Sequence, residues 1–582
     1  MRTKSALWAI LASLPFAVAL IFAQDAPGTS DPPPSGPSEE VQACLSCHDP
    51  EAQAGPAVNY SALSNSPHKD FDCTSCHPSY TADAPHTEEM LAEKADCASC
   101  HPDVSEEFMA SVHAKPSVKA GDHPTCATCH GGGDPHAVKI VGQWSRQAKV
   151  EVCSSCHRDS ARMQDYGKNV EAVASFDHSF HGKALLKFGN LDTAICMDCH
   201  GHHGVFAHTD PKSTVHKDNL TKTCSQAGCH VGAGQNFAVS GASHMDITIS
   251  REPLLGAILL FFRVLVFSMA VFLMVGVGLD LRRAIIGPEP PRCGRSVAFI
   301  LGLGFLAIVA AIFQATLNLP GPLISSGIGV GLLLLAVTIF KIEQRGKKPE
   351  PEAGRKFLRL TVFQRIQHAV MAISFGLLVL TGMPVRQSES DFLRNLYMAI
   401  GGMEVGRWIH RVAGVAMILV FTVHVAHLLW KWKNAGFKFS SWTMWPNKKD
   451  VLDFIQLTKY YLGKTEEEPK YGRYSFRSKL DYLAEYWGIP LMGVTGLILW
   501  FPVFFGGFLP SVAIPAAYIA HSYEAVLAFL AILTWHMYNT NLNPHNFPMT
   551  RLWLTGTLSE EEMRREHPLE LEAILENEKK AT

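Results

Sequence analysis

The chain changes character near residue 250. Beyond that point seven apolar stretches, at approximately 254–279, 296–317, 321–341, 363–383, 408–430, 486–507 and 514–538, are each long enough to cross a bilayer as a helix. Before it the chain is rich in His, Cys and Ser, and little of residues 43–245 carries the periodicity of a helix or strand. The N-terminus is the exception: basic "MRTK", apolar "ALWAILASLPFAVALIFA" and polar, Pro-rich "QDAPGTSDPPPSGPS" make an export signal or an uncleaved anchor. The pattern predicts a mostly α protein: a signal or anchor at 1–23, a linker at 24–42, and a loop-rich domain at 43–248. Three transmembrane helices at 249–350, a four-helix domain at 351–545 and a tail at 546–582 complete it.

Loop charge orients these spans. The segment "KIEQRGKKPEPEAGRKFLRL" and the stretch from "KWKNAGFKF" through "KLDYLAEYWG" are dense in Lys and Arg, whereas "NLPGP" and "GGFLPSVAIP" carry none. The first pair faces the cytoplasm, which puts residues 24–250 in the periplasm of a bacterial inner-membrane protein. The tail "LSEEEMRREHPLELEAILENEKKAT" is then cytoplasmic and reads as a solvated helix, and 440–480 as a partly amphipathic segment on the membrane surface. The net charge of −2 averages two unlike halves and gives no nucleic-acid signature.

The chemistry of the first half lies in its 15 cysteines. Cys-x-x-Cys-His, the spacing at which two thiols add to the vinyl groups of a haem while the histidine ligates its iron, occurs six times. The copies are Cys44, Cys47, His48; Cys73, Cys76, His77; Cys97, Cys100, His101; Cys126, Cys129, His130; Cys153, Cys156, His157; and Cys196, Cys199, His200. Neither a disulfide framework nor a zinc site requires a histidine after each second cysteine. "TKTCSQAGCH" carries two extra residues between Cys224 and Cys229, but a loop that bulges outward, with Gly228 permitting a tight return, still puts both sulfurs on one porphyrin edge. Cys224, Cys229 and His230 are therefore expected to hold a seventh haem c, leaving Cys293 as an ordinary thiol.

With seven covalent haems in about two hundred residues, the porphyrins themselves form much of the core of this periplasmic multihaem cytochrome c domain. The region holds 19 histidines, enough for bis-His ligation at every iron. The segments from "CASCH" to "GGGDPH" and from "CSSCH" to "CHGHHG" look like an internal repeat, in which His113 and His181 correspond, as do His136 and one of His202 or His203. The expected distal ligands are His68, His86, His113, His136, His181, His203 and His244, with His123, His178, His208 and His216 as substitutes.

A second constellation lies in the apolar half, where a histidine is costly unless satisfied. His368 begins the fourth span at its cytoplasmic end, His410 stands at the outer end of the fifth with His424 and His427 further in, and His521 and His536 lie outer and inner on the seventh. The last two are 15 residues apart, about 22 Å along a helix and about 60° different in direction, which is spacing for two stacked haems b. Parallel fifth and seventh spans bring His410 to His521 at the outer level, while His536 meets His368 or His424 at the inner one. Interhelical hydrogen bonding explains one or two such histidines but not a match at two levels.

Over about residues 355–545, on "QRIQH", "IHRVAGVAM" and "WHMY", the chain resembles the di-haem cytochrome b subunits of respiratory formate dehydrogenases and nickel-iron hydrogenases. The resemblance implies His368 with His536 and His410 with His521 as haem b ligands, and a quinol pocket beside the inner haem near Gln364, Arg365, Tyr538 and Asn539. By domain order the whole chain is similar to the inner-membrane quinol dehydrogenases of metal-reducing bacteria. The function this implies is oxidation of menaquinol from the quinone pool. Electrons would pass through two haems b and seven haems c to a periplasmic c-type cytochrome, within membrane lipid, with further membrane subunits or a homo-oligomer as open partners. A multihaem terminal reductase of a small nitrogen or sulfur compound, and an anchored electron-storage cytochrome, are the alternatives. The three extra spans have no assigned role; Arg263 in the first is expected to snorkel outward rather than meet a haem propionate.

Overall fold

A computed structural model describes residues 36–581 except 53–55, 83–85, 93, 116–122, 167–170, 242–243, 245–251, 289–290, 292, 317–321, 345–353, 439–442 and 548. The export segment 1–23 and most of the linker lie outside the described residues. The chain divides into two compact units, one of residues up to Pro102 with Thr125–Ile140, the other of Asp103–Pro124 with Val141–Thr582.

The first unit is built from short capped turns. Glu39–His48 starts where the Ser38 side chain accepts the Val41 N–H, and ends on the histidine of the first motif. Cys126–His130 is closed by a reciprocal cap between Thr125 and Thr128. Such caps supply what a helix of one turn lacks, partners for its first N–H groups. The apolar core is thin: Val41 is the one hydrophobic residue fully buried among the described residues of this unit.

In the second unit the extramembrane part has a small core of Val150, Phe176, Leu185 and Ile195. Its segment 180–188 docks on the apolar bundle: Phe188 and Ala184 pack with Tyr397 and Met403, Lys187 pairs with Glu389 at 2.7 Å, and Lys183 bonds the Tyr518 hydroxyl at 3.4 Å.

Helices occupy the seven apolar stretches. Pro253–Ile286, Val362–Arg386, Gly402–Asn434, Phe476–Trp500, the helix from Ala513 to Leu542 and the one ending at Glu343 are long and apolar enough to cross a membrane; Arg295–Thr316 is the remaining apolar helix. Their outward faces carry large apolar side chains, such as Phe267, Ile373, Leu419 and Val494, which hydrocarbon rather than water would cover. Arg295–Thr316 and Pro322–Glu343 form a tight hairpin in which Gly304 and Gly329 let the backbones touch.

The extra span Pro253–Ile286 has a packing role that its sequence did not disclose. It lies along the last helix, with Val266 and Ala270 against Val526, Leu527 and Leu530, and its Asp280 accepts hydrogen bonds from Tyr538 and Asn543 at 2.8 and 2.7 Å. Arg263 turns to the Tyr523 hydroxyl at 3.3 Å. The last helix itself is not regular: Ile532–His536 and Tyr538–Leu542 are π-helical, so the ideal-helix angle between His521 and His536 does not hold, a departure that often marks functional sites.

The tail is packed rather than a free solvated helix. Thr557–Ser559 pairs antiparallel with Lys356–Leu358, and Phe357, Leu558, Met563 and Leu571 bury one another. The segment 440–480 contains the helix Lys448–Tyr461, tied to the bundle by Lys479 with Asp450 at 2.9 Å. His567 accounts for a pH dependence. Burial, with Arg359 beside it, pushes this imidazole from 6.5 down to about 4. The folded tail therefore excludes a proton that the unfolded tail binds, and its packing is full above pH 6.5 and weakens as pH falls towards 4, by on the order of 3 kcal/mol. Limited proteolysis of the tail should accelerate between pH 7 and pH 4.5, and His567→Gln should remove most of that acceleration.

Candidate functional site

A Cys-x-x-Cys-His motif folded as one helical turn places residues i, i+3 and i+4 on one face, so both sulfurs and the imidazole point the same way. Cys73–Cys76, Cys126–His130 and Cys196–His200 are such turns, and the helix Arg146–His157 ends in another. In regular copies the histidine N–H bonds the carbonyl of the first cysteine, His77 to Cys73 and His101 to Cys97, each at 3.0 Å. The longer motif makes the same closure: the His230 N–H bonds the Cys224 carbonyl at 3.0 Å, and Gly228 takes φ +84° in the bulge between them. The two extra residues are looped out.

The histidines come in pairs. In the first unit the ring centres of His48 and His86 stand 5.9 Å apart, His68 and His101 6.3 Å, and His77 and His136 6.5 Å. In the second, His113 and His157 stand 6.3 Å apart, His181 and His230 6.1 Å, and His200 and His244 6.2 Å. Two imidazoles on opposite faces of one iron, with bonds of about 2.0 Å and about 1.1 Å from nitrogen to ring centre, stand roughly 6.2 Å apart. Each of the six pairs joins one attachment-motif histidine to one histidine expected to be distal. A haem iron fits between them.

The orientation of the rings agrees with that use. His48 directs Nδ1 to the Pro56 carbonyl at 2.9 Å, and His244 to that of Ala172 at 3.0 Å, which leaves Nε2 for a metal. Burial holds His113, His157, His181, His200, His230 and His244 below the ordinary imidazole value, in the neutral form that ligates. Of the other two expected ligands, His130 directs Nδ1 to the Lys139 carbonyl at 3.4 Å in the first unit, and His203 lies 3.9 Å from Glu107 in the second. Of the substitutes, His123 lies 3.5 Å from the His113 carbonyl and His216 3.5 Å from Asp218. Successive motifs of the second unit are neighbours: the Cys196 thiol meets Cys153, and Cys199 lies beside Cys224 and Cys229.

Within the bundle the same spacing recurs twice, between His410 and His521 at 6.3 Å and between His368 and His536 at 6.2 Å. His410 and His521 are held alike. Each directs Nδ1 to a buried threonine, Thr381 at 2.8 Å and Thr495 at 3.0 Å, whose own hydroxyl proton goes to the carbonyl of Leu377 or Leu491. Each threonine precedes a glycine, Gly382 or Gly496, at which a Cβ would come within 3.1 or 3.2 Å of the imidazole. A Thr-Gly pair on the preceding helix thus orients each ring and makes room for it. Sequence reading missed both pairs, although "LTGMP" and "VTGLI" carry the signal at similar distances before His410 and His521.

At the other level His536 directs Nδ1 to the Asp481 carboxylate at 3.3 Å. His424 does not join this pair; its Nε2 is bonded to the Tyr482 hydroxyl at 2.9 Å, and Tyr482 bonds on to Tyr486. The four residues expected at a quinol pocket all have engaged side chains. Gln364 closes the cap of its own helix with Thr361, Arg365 donates to the Leu554 carbonyl, Tyr538 to Asp280, and Asn539 to the Trp535 carbonyl.

With this geometry in view, comparison with known proteins shows what the bundle is similar to. Residues 359–542 match the prokaryotic cytochrome b561 family. The chain is also similar to the cytochrome b556(fdo) subunit of Escherichia coli K12 formate dehydrogenase, 25% identical over 205 residues, 35% of this chain and 82% of that subunit. The cytochrome b556(Fdn) subunit of the nitrate-inducible formate dehydrogenase of the same strain is 23% identical over 189 residues, 32% of this chain and 77% of the relative. Residues 359–542 thus form a cytochrome b561-type region for membrane electron transfer, a type that implies haem b. Its matched segment contains both histidine pairs of the bundle and both Thr-Gly pairs.

Proposed function

We propose that the protein is a quinol dehydrogenase of the bacterial inner membrane that takes electrons from menaquinol and delivers them, through two haems b and seven haems c, to a periplasmic c-type cytochrome. Its C-terminus is cytoplasmic and the domain of residues 43–248 periplasmic. His410 and His521 hold the outer haem b, and His368 and His536 the inner one. The seven attachment motifs hold haem c, with His68, His86, His113, His136, His181, His203 and His244 as distal ligands. Haem supplies one-electron exchange between ferric and ferrous iron; the chain sets where each iron sits and what bonds its ligands make. Menaquinol would be oxidised at the inner level, near Gln364, Arg365, Tyr538 and Asn539, giving its two electrons one at a time to the inner haem b and its two protons to solvent.

The observation that carries this reading is the junction in the second unit. The segment bearing His181 docks through Lys183 on Tyr518, one turn from His521, and the Phe237 ring lies tilted against His230 at 4.7 Å while packing against Gly506 of the bundle. The haem of the long motif is the port by which electrons leave the outer haem b, and the neighbouring motifs at Cys196 and Cys153 continue the path.

The test is the pyridine haemochrome ratio of the detergent-purified protein, followed by anaerobic addition of menaquinol. Seven c to two b is expected, with reduction of both types by the quinol. Six to two returns Thr221–His230 to a thiol pair; seven to none reduces the protein to an anchored cytochrome. High-spin haem c reoxidised by a small nitrogen or sulfur compound would mark a terminal reductase instead.

A further inference from the structure

The two histidine levels of the bundle are held by chemically different groups. At the outer level both Nδ1–H groups are directed to neutral hydroxyls, those of Thr381 and Thr495, and Arg411 lies within electrostatic reach of His410. At the inner level the Nδ1–H of His536 is directed to the carboxylate of Asp481, with Glu485 one turn further along the same helix and also within reach. A threonine whose own proton is given to a carbonyl accepts the Nδ1 proton weakly, whereas a carboxylate draws it strongly and raises the basicity of the opposite ring nitrogen. A more basic ligand and nearby negative charge stabilise ferric iron; a nearby guanidinium stabilises ferrous iron.

We infer that this asymmetry makes the inner haem b the lower in potential of the two, with Asp481 as the positioning residue that lowers it, and so sets electron flow from the inner level to the outer. The inference rests on the reading of these pairs as haem b ligands. In the transfer the inner iron passes from ferrous to ferric and the outer from ferric to ferrous; one electron changes place and no proton moves.

Anaerobic spectroelectrochemical titration of the purified full chain, followed at the α-band of haem b, tests this. Two separate b waves are expected in the native protein. In Asp481→Asn the lower wave should move upward by at least tenfold in the ferric-to-ferrous ratio at fixed potential, about 59 mV for one electron, with the upper wave unmoved. Asp481→Glu should return most of the shift. Coincident native waves, an unmoved or lowered wave in Asp481→Asn, or movement of the upper wave instead, overturns the inference. If Asp481→Asn retains a single haem b, the missing wave identifies the inner haem: loss of the lower wave supports the inference and loss of the upper one overturns it. Absence of haem b from the native protein would instead refute the quinol-dehydrogenase reading itself, a result that the titration separates from all of these.

Discussion

Replacing His521 by alanine is expected to remove one of the two haems b, shifting the c-to-b ratio from seven to two towards seven to one, and to reduce menaquinol-driven reduction of haem c to background. The ring has one role in the bundle that nothing nearby can assume. It stands 6.3 Å from its partner His410, its Nδ1 is fixed by Thr495, and Gly496 leaves the space it fills. Removing the hydrogen-bond partner of a metal-bound histidine already alters affinity about 10- to 100-fold, so loss of the ligand itself should empty the site. The informative control is His424→Ala. That histidine lies at inner depth on the neighbouring helix, but its Nε2 is occupied by Tyr482. Both haems b should survive its removal, whereas His368→Ala should lose the inner one. Loss of a haem b in His424→Ala would overturn the pairing of His368 with His536.

His181→Ala should separate the two halves of the path. On the proposed assignment, thioether bonds at Cys224 and Cys229 would not depend on His181, so seven haems c should remain. The iron on His230 should lose its sixth ligand and turn high-spin, visible in the absorption spectrum and by electron paramagnetic resonance. Because the same segment docks on the bundle through Lys183, Lys187 and Phe188, the effect falls at the junction. Menaquinol should then reduce haem b at near-native rate while haem c reduction slows severely. His113→Ala, which changes the pair at His157, should likewise create a high-spin iron but leave reduction of the haem nearest the membrane intact. Equal slowing in both variants would refute the port assigned to the long motif.

The tail and the extra spans show where reading the sequence fell short. "LSEEEMRRE" has the charge of a solvated helix, and its capping box from Ser559 to Glu562 is legible in the letters. What buries Met563 and Leu571 is Phe357, some two hundred residues earlier, and no periodicity links them. Likewise Asp280 reads as a charge near the end of an apolar span, and its use as acceptor for Tyr538 and Asn543 exists only once the first and last helices lie side by side.

The sequence by itself determined the attachment motifs, the seven apolar stretches and the histidines available to pair, because each rests on a local spacing: Cys-x-x-Cys-His on one turn, a bilayer's length of apolar residues, a histidine repeated along one helix. The outward bulge between Cys224 and Cys229 was legible too, since Gly228 marks where the chain can return. Only the tertiary structure decided that His368 rather than His424 faces His536, that threonines stand behind one histidine level and a carboxylate behind the other, and that the His181 segment rests on the bundle. Those are contacts between helices, set by how whole faces pack, and a hydrogen bond between residues 26 to 335 positions apart leaves no spacing for a sequence to display.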